Sequence, residues 1–175
     1  MGGADIRMRE VVCRHGRVNA VAEVDLDNDP EKLSAEVARL AGLFGTEDIA
    51  AQWKKGFDAE YAKLNKDLRA AWPGSRSPAV VSHVFTTWAA ELAGATTADM
   101  YGPEAVTPGR LSELSAMKPA LVLDNAHMST GTVLPDSGAT QVKIANYPSD
   151  DLDLLSVYRD AAAELKKAME EIRSR

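Results

Sequence analysis

The chain has 175 residues, enough for one domain or one domain with a substantial appendage, and 45% of them are apolar, so it can bury a real core. The net charge of −6 argues against nucleic acid or an anionic membrane surface as the main partner. The single cysteine excludes an internal disulfide, no apolar run can span a bilayer, and no N-terminal secretory signal is visible. We therefore expect a cytoplasmic protein, or else a mature form or a fragment of an exported one.

Residues 1–28 form a short N-terminal segment in which two strands are predicted, Arg9–Cys13 and Val18–Val24. This segment is too small to form a core by itself. After it, Asp29 and Pro30 are typical of the cap and the first position of a helix. We therefore expect the first helix to begin at Pro30.

A continuous apolar face predicts one long helical element over residues 29–72. Its apolar residues recur at helical spacing: Leu33, Val37, Leu40, Phe44, Ile49, Trp53, Phe57, Tyr61, Leu64 and Leu68. Gly45 predicts an end or a kink within this element, and the segment 72–78, which contains two prolines, stops it. An aromatic stripe at this spacing is more typical of a core than of a ligand platform.

In residues 73–175 short apolar strands alternate with helices, which is typical of parallel βαβ units. The predicted order is strand Ala79–Val81, helix Val84–Ala93, strand Ala95–Met100, helix Thr107–Met117, strand Ala120–Leu123, strand Thr140–Ala145, and a last helix that starts at Asp150 or Asp151. We therefore predict an α/β fold: a C-terminal lobe with a doubly wound parallel sheet of about four strands, and the long helix packed along it.

The best candidate site follows the strand that ends at Leu123. The polar loop predicted there contains Asp124, Asn125 and His127. Because open α/β sheets bind ligands outside the carboxyl ends of their strands, these three residues are candidate ligand-binding residues. The alternative is that Asp124 and Asn125 only cap the turn or helix that follows.

His83 also follows a predicted strand of the same α/β unit. If the two strands are near neighbours, His83, Asp124 and His127 reach the same crevice. Imidazole and carboxylate together suit zinc, manganese or iron. The alternatives are that His83 is a helix-start histidine bonded to the backbone, and that His127 is an exposed loop residue.

Several enzyme motifs are missing from the sequence. It contains no glycine-rich phosphate loop, no G-x-S-x-G elbow, no C-x-x-C and no H-E-x-x-H. We also find no activated nucleophile, so we expect ligand binding rather than catalysis. Two other classes stay open: a small cytoplasmic α/β enzyme that uses His83 or His127 as a general base near Asp124, and a non-catalytic interaction module derived from a binding-protein lobe.

The long helix followed by a doubly wound lobe resembles the helical-backbone substrate-binding proteins of ABC transporters, and within them the TroA-like group, which binds zinc, manganese or iron. Residues 26–30 are similar to the L-D-P motif at the start of that family's backbone helix, and residues 82–85 resemble its H-D-A-F/Y segment. Leu123 and Asp124 fall where the family places an Asp or Glu ligand. Residues 117–122 are closer to the K-P-D-L-V strand of the siderophore and vitamin B12 binders.

The resemblance implies a substrate-binding component, or a lobe of one, that carries a divalent metal ion or a metal chelate to an ABC transporter permease. Its histidine and acidic ligand positions match His83 and Asp124. His127 matches no family position and is the alternate ligand, with Asn125 as a further ligand-binding residue. The implied location is extracytoplasmic, either periplasmic or as a membrane-anchored lipoprotein, if the gene encodes a signal.

The sequence departs from the family at the start of the backbone helix. Where the family carries a metal-binding histidine, this chain has Glu23 and Asp25, and most of the first lobe is expected to be missing. Two ligands do not saturate a divalent ion, because even open zinc sites keep three protein ligands. We therefore expect further ligands from Glu23, Asp25 or His15, from a second copy of the chain in a homodimer, or from water.

Overall fold

A computed structural model gives the fold and describes residues 7–8, 22–72, 77, 79–129, 131–150 and 152–174. The predicted strand Arg9–Cys13 and most of Val18–Val24 lie outside these residues. The chain divides into two compact units, Met1–Lys55 and Gly56–Arg175. In the part of the chain that the structure describes, no helix is long and apolar enough to cross a membrane.

The first unit contains a short antiparallel strand pair, β1 (Arg7–Met8) with β2 (Val24–Asp25), and helix α1 (Pro30–Phe44). As the sequence predicted, Asp29 caps α1, and its carboxylate accepts hydrogen bonds from two backbone N–H groups of the first turn. The helix ends at Gly45, whose φ of 67° is left-handed and favours glycine. The long apolar face therefore belongs to two successive helices.

Helix α2 (Glu47–Ala71) begins in the first unit and ends in the second. Within the second unit, its C-terminal part is tied to helix α3 (Thr87–Leu92) and the residue after it. The Asn65 side-chain amide donates to the backbone carbonyls of Glu91 and Leu92, and the Trp72 indole N–H, just past α2, donates to the Ala93 carbonyl at 2.8 Å. These bonds go to carbonyls at the C-terminal end of α3, where a helix runs out of N–H partners of its own.

The second unit is built on a parallel sheet of four strands. These are β3 (Ala79–His83), β4 (Thr96–Tyr101), β5 (Leu121–Asn125) and β6 (Thr140–Ile144), arranged in the order β4-β3-β5-β6. All three neighbouring pairs are parallel. The predicted α/β fold with a parallel sheet of four strands is therefore confirmed.

Helices cover both faces of the sheet, as in a doubly wound fold. Helix α4 (Pro108–Ala116) packs its buried Leu114 against one face, where Val81 and Val122 point. Helices α3 and α5 (Leu154–Arg173) pack against each other, and both contact the sheet. Because β5 has a strand on each side and is covered on both faces, all five of its residues are buried.

Several element boundaries differ from the prediction, and the end of β5 is one that matters for the site. Asp124 and Asn125 do not begin the loop: they are the last residues of β5, because the ladder to β6 continues to the pair Asn125 and Ile144. The last helix begins at Leu154, where Asp153 is its cap and accepts from the Leu155 N–H at 3.0 Å. The predicted start at Asp150 or Asp151 was therefore wrong.

Candidate functional site

Four polar side chains lie on one face of the sheet, and we call them the polar row: Tyr101 on β4, His83 on β3, Asp124 on β5 and Gln141 on β6. The first three lie at the carboxyl edge, whereas Gln141 is the second residue of its strand. Tyr101 is the register partner of His83, and β3 and β5 are neighbouring strands. Because side chains alternate along a strand, the row lies on the same face as Val81 and Val122. The sheet therefore brings the predicted ligands His83 and Asp124 together.

Asp124 is only 3% exposed, and both of its carboxylate oxygens are hydrogen-bonded. The Tyr101 hydroxyl donates to Oδ1 at 2.9 Å, and the Gln141 side-chain amide donates to Oδ2 at 2.9 Å. Burial, together with the hydrogen bond to Asp124, raises the pKa of Tyr101 far above its ordinary value, so the hydroxyl stays protonated. Since a carboxylate has about four lone-pair sites, these two donors leave room for a further partner.

His83 is 4% exposed, and burial lowers its pKa, although the nearby Asp124 carboxylate opposes this effect. The ring is therefore held in the neutral form that metal sites use. Its Nδ1 accepts from the Phe85 backbone N–H at 3.2 Å, which is the backbone bond that the alternative interpretation of His83 predicted. The neutral ring then carries its proton on Nε2, so ligation of a metal through Nε2 requires the Phe85 hydrogen bond to break.

Gly102 lies against the Nε2 side of the His83 ring. A Cβ atom placed at Gly102 would be 2.5 Å from Nε2, closer than real Cβ atoms come to their neighbours. The φ of this glycine is +84°, a conformation that side chains disfavour. Gly102 therefore provides the space that the imidazole occupies at the end of β3.

His127 lies on the surface, in the turn after β5, and its ring centroid is 5.2 Å from that of Tyr147. Its backbone N–H donates to the Asn125 side-chain oxygen at 3.0 Å. Through this hydrogen bond the buried Asn125 side chain caps the turn, as the alternative interpretation of this residue predicted. The described contacts of His127 are with Tyr147 and Asn125, and its role as a metal ligand stays a prediction.

Glu23 and Asp25 belong to the first unit, and their side chains are exposed. Asp25 lines a charged cavity of about 250 Å³ together with Asp27, Lys32, Ala35, Glu36 and Arg39. His15 lies outside the described residues. Within the described ranges, no three His, Cys, Asp or Glu side chains are grouped so that they could hold a metal ion. The ligand roles of Glu23 and Asp25 therefore also stay predictions.

Three residues of the site were missed from the sequence: Tyr101, Gly102 and Gln141. The predicted strand stopped at Met100, which placed Tyr101 and Gly102 in a loop, although a tyrosine at a strand end was a usable signal. Gln141 is the second residue of β6 and carries no local signal, because its contact with Asp124 depends on which strand lies beside β6.

No protein-family model matches the sequence, and no curated protein matches it. The fold is similar to that of solved substrate-binding proteins. The substrate-binding protein FpvC of Pseudomonas aeruginosa in complex with Ni²⁺ has a TM-score of 0.58 at 14% identity, covering 83% of this chain and 59% of that chain. The laminin-binding protein Lbp of Streptococcus pyogenes has a TM-score of 0.58 at 15% identity, covering 84% of this chain and 65% of that chain.

A further similar structure is the laminin-binding protein Lmb of Streptococcus agalactiae, described as a bifunctional protein with adhesin and metal-transporting activity. Its TM-score is 0.55 at 13% identity, covering 82% of this chain and 62% of that chain. This chain therefore spans less than two thirds of the length of these proteins, and at such low identity the likeness shows the fold alone. At the level of the fold, the resemblance that the sequence indicated is confirmed: the chain shares the fold of the TroA-like substrate-binding proteins.

Proposed function

We propose that the chain is a substrate-binding component, or a lobe of one, that binds a divalent transition metal for an ABC transporter, with His83 and Asp124 as its ligands. The observation that carries this proposal is the meeting of these two side chains at the carboxyl edge of a parallel sheet, where open α/β sheets bind ligands. The shared fold adds support, because FpvC has been solved with Ni²⁺ and with Mn²⁺.

The donor set fits a transition metal. A neutral imidazole and a carboxylate are ligands that zinc, manganese and iron accept, and burial keeps the imidazole of His83 neutral. Two protein ligands leave such an ion undersaturated. In this proposal the remaining positions are filled by a second protein surface, by water, or by the organic part of a metal chelate.

One observation weighs against the enzyme alternative that uses His127 as a general base near Asp124. His127 is exposed in the turn after β5, and its described contacts do not include Asp124. A permease partner and an extracytoplasmic location complete the proposal.

The test is isothermal titration calorimetry with Zn²⁺ and Mn²⁺ on the wild type and on His83→Ala and Asp124→Ala. We expect the wild type to bind at least one of the two metals, and each substitution to weaken that binding by at least about tenfold, because a lost ligand costs more than a lost outer partner. Asp160→Ala, which removes an exposed carboxylate on α5, is the matched control and keeps the wild-type affinity.

His127→Ala separates the two histidines, and on this proposal it binds as well as the wild type. The proposal fails if the wild type binds neither metal, or if His83→Ala and Asp124→Ala both bind like the wild type. A loss of affinity in His127→Ala with none in His83→Ala would move the site from the polar row to the loop after β5.

A further inference from the structure

We infer that Tyr101 and Gln141 are positioning residues that fix the Asp124 carboxylate for a metal ion, an inference that rests on the proposed function. Neither residue is a ligand in that proposal. Each donates a hydrogen bond to a different oxygen of Asp124, from β4 and β6 on opposite sides of the two strands that carry the ligands. The carboxylate is thus held, on one face of the sheet, by donors from strands on either side of it.

The side chain of Gln141 uses both ends of its amide. The NH₂ group donates to Asp124 Oδ2 at 2.9 Å and to the Gly131 carbonyl at 2.8 Å, while Oε1 accepts from the Val133 backbone N–H at 2.8 Å. A glutamate has no hydrogen to donate at this position, and a methionine of similar length has neither group. Gln141 therefore ties the loop after β5 to the carboxylate, and an amide is the group that suits this position.

Tyr101 contacts both proposed ligands. Its hydroxyl donates to Asp124 Oδ1 at 2.9 Å, and its ring packs edge-on against the His83 ring, with centroids 5.3 Å apart and an interplanar angle of 90°. This one side chain therefore sets the orientation of the carboxylate and supports the plane of the imidazole.

Two fixed donors prevent the carboxylate from rotating and leave about one lone pair on each oxygen for a metal ion. The carboxylate is therefore oriented before the ion arrives. If one donor is removed, the Asp124 carboxylate must instead be ordered when the metal ion binds. Hydrogen-bond partners of a metal ligand contribute about 10- to 100-fold to metal affinity. We expect Tyr101→Phe and Gln141→Met each to weaken binding within that range.

The experiment measures the Zn²⁺ dissociation constant by competition with a chromophoric chelator, and the absorption spectrum of bound Co²⁺, which reports coordination geometry. The variants are Tyr101→Phe, which keeps the ring against His83, and Gln141→Met. Their matched controls are Tyr61→Phe, in the aromatic cluster on α2, and Gln52→Met, at the other glutamine of the chain, which is exposed. We expect both affinity and spectrum to change in the two variants and to stay within twofold of the wild type, with an unaltered spectrum, in the controls.

A purely structural role for Tyr101 and Gln141 would lower the melting temperature and leave the Zn²⁺ affinity of the folded protein and the Co²⁺ spectrum unchanged. That result overturns the inference alone and leaves the proposed function standing. A wild type that binds neither Zn²⁺, Mn²⁺ nor Co²⁺ overturns both. If circular dichroism shows that Tyr101→Phe does not fold, Gln141→Met decides: wild-type affinity overturns the inference, and a loss of at least tenfold supports it.

Discussion

At the scale of single residues, Gly102 is a sensitive position, because its missing side chain leaves the space that the His83 imidazole occupies. We expect Gly102→Ala to destabilise the protein by about 1–2 kcal/mol from the left-handed backbone alone, and further because the new Cβ would lie 2.5 Å from Nε2. Urea unfolding measures this loss. The His83 ring must also shift, so we expect metal binding to weaken.

The control for this substitution is Gly56→Ala. Gly56 lies inside α2, and a Cβ there would meet nothing within 4 Å. We expect it to stabilise the protein by about 0.5–1 kcal/mol, because alanine loses less conformational entropy than glycine in a helix. If Gly102→Ala were as stable as the wild type, the close contact between Gly102 and His83 would be contradicted.

His83 and Asp124 could be predicted from the sequence because each ends an apolar run, and the carboxyl ends of parallel strands meet at one edge. Their supporting residues could not. Tyr101 on β4 reaches Asp124 on β5 past the intervening β3, so the contact depends on the strand order β4-β3-β5-β6. Local patterns do not contain the order of strands, and Gln141 was missed for the same reason.

At the scale of elements, the fully buried ring of Tyr158 holds α5 against the other helices of the second unit. Its centroid lies 5.0 Å from the ring centroid of Trp88, 5.2 Å from that of Phe57 and 6.0 Å from that of Tyr61. Truncating a large buried aromatic side chain costs about 3–5 kcal/mol. We expect Tyr158→Ala to lose stability in this range in urea unfolding, and Tyr158→Phe, which keeps the ring, to lose much less.

Tyr147→Ala is the matched control for Tyr158→Ala. Tyr147 lies in the loop before α5 and is 59% exposed, so removing its ring leaves no buried cavity. Surface substitutions of this kind change stability by about 0.5 kcal/mol or less. Equal losses of stability in Tyr158→Ala and Tyr147→Ala would contradict the aromatic packing of α5 against α3 and against Phe57 and Tyr61 on α2.

Helix α4 is anchored to the carboxyl end of β4 by Arg110, whose guanidinium contacts the Asp99 carboxylate at 2.7 Å and donates to the Met100 carbonyl. This arginine, followed by the Met100 backbone N–H, lowers the pKa of Asp99 below its ordinary value of 3.8. An acid with a lowered pKa in the folded state adds stability above its unfolded pKa and loses it as the pH falls through the folded value.

We therefore expect carbon-detected NMR to give a titration midpoint for Asp99 below 3.8, and Arg110→Ala to raise it. Arg159→Ala is the control, because Arg159 pairs with Glu60 and Asp153 and should leave the Asp99 midpoint unchanged. An Asp99 midpoint that does not respond to Arg110→Ala would show that this anchor between α4 and β4 is absent in solution.

Most elements of the second unit were predictable because strand and helix periodicities differ, but their ends were not. The ladder between β5 and β6 continues through Asn125, and only the presence of a neighbouring strand keeps Asp124 and Asn125 in extended backbone. Similarly, several aspartates precede α5, and the sequence does not show which one caps it; the structure assigns this role to Asp153.

At the scale of the whole molecule, the change from a helical to an alternating pattern after residue 78 was enough to predict a parallel sheet, because parallel strands need long crossover connections. The division into residues 1–28, a backbone helix at 29–72 and an α/β lobe at 73–175 stays a prediction. The chain spans 59% to 65% of the length of FpvC, Lmb and Lbp, and it contributes two proposed ligands. Because the proposal has two protein ligands, a second surface or a chelating ligand would have to complete the metal site.

The central claim is that a divalent metal ion is bound by His83 and Asp124 at the carboxyl edge of the sheet. The most direct measurement is anomalous diffraction, at the zinc absorption edge, from crystals of the protein grown with Zn²⁺. The account predicts an anomalous peak about 2.0–2.2 Å from both an imidazole nitrogen of His83 and a carboxylate oxygen of Asp124. Peaks found only elsewhere, for example beside His127, would contradict it, and so would the absence of a peak with Zn²⁺ and likewise with Mn²⁺ at saturating concentration.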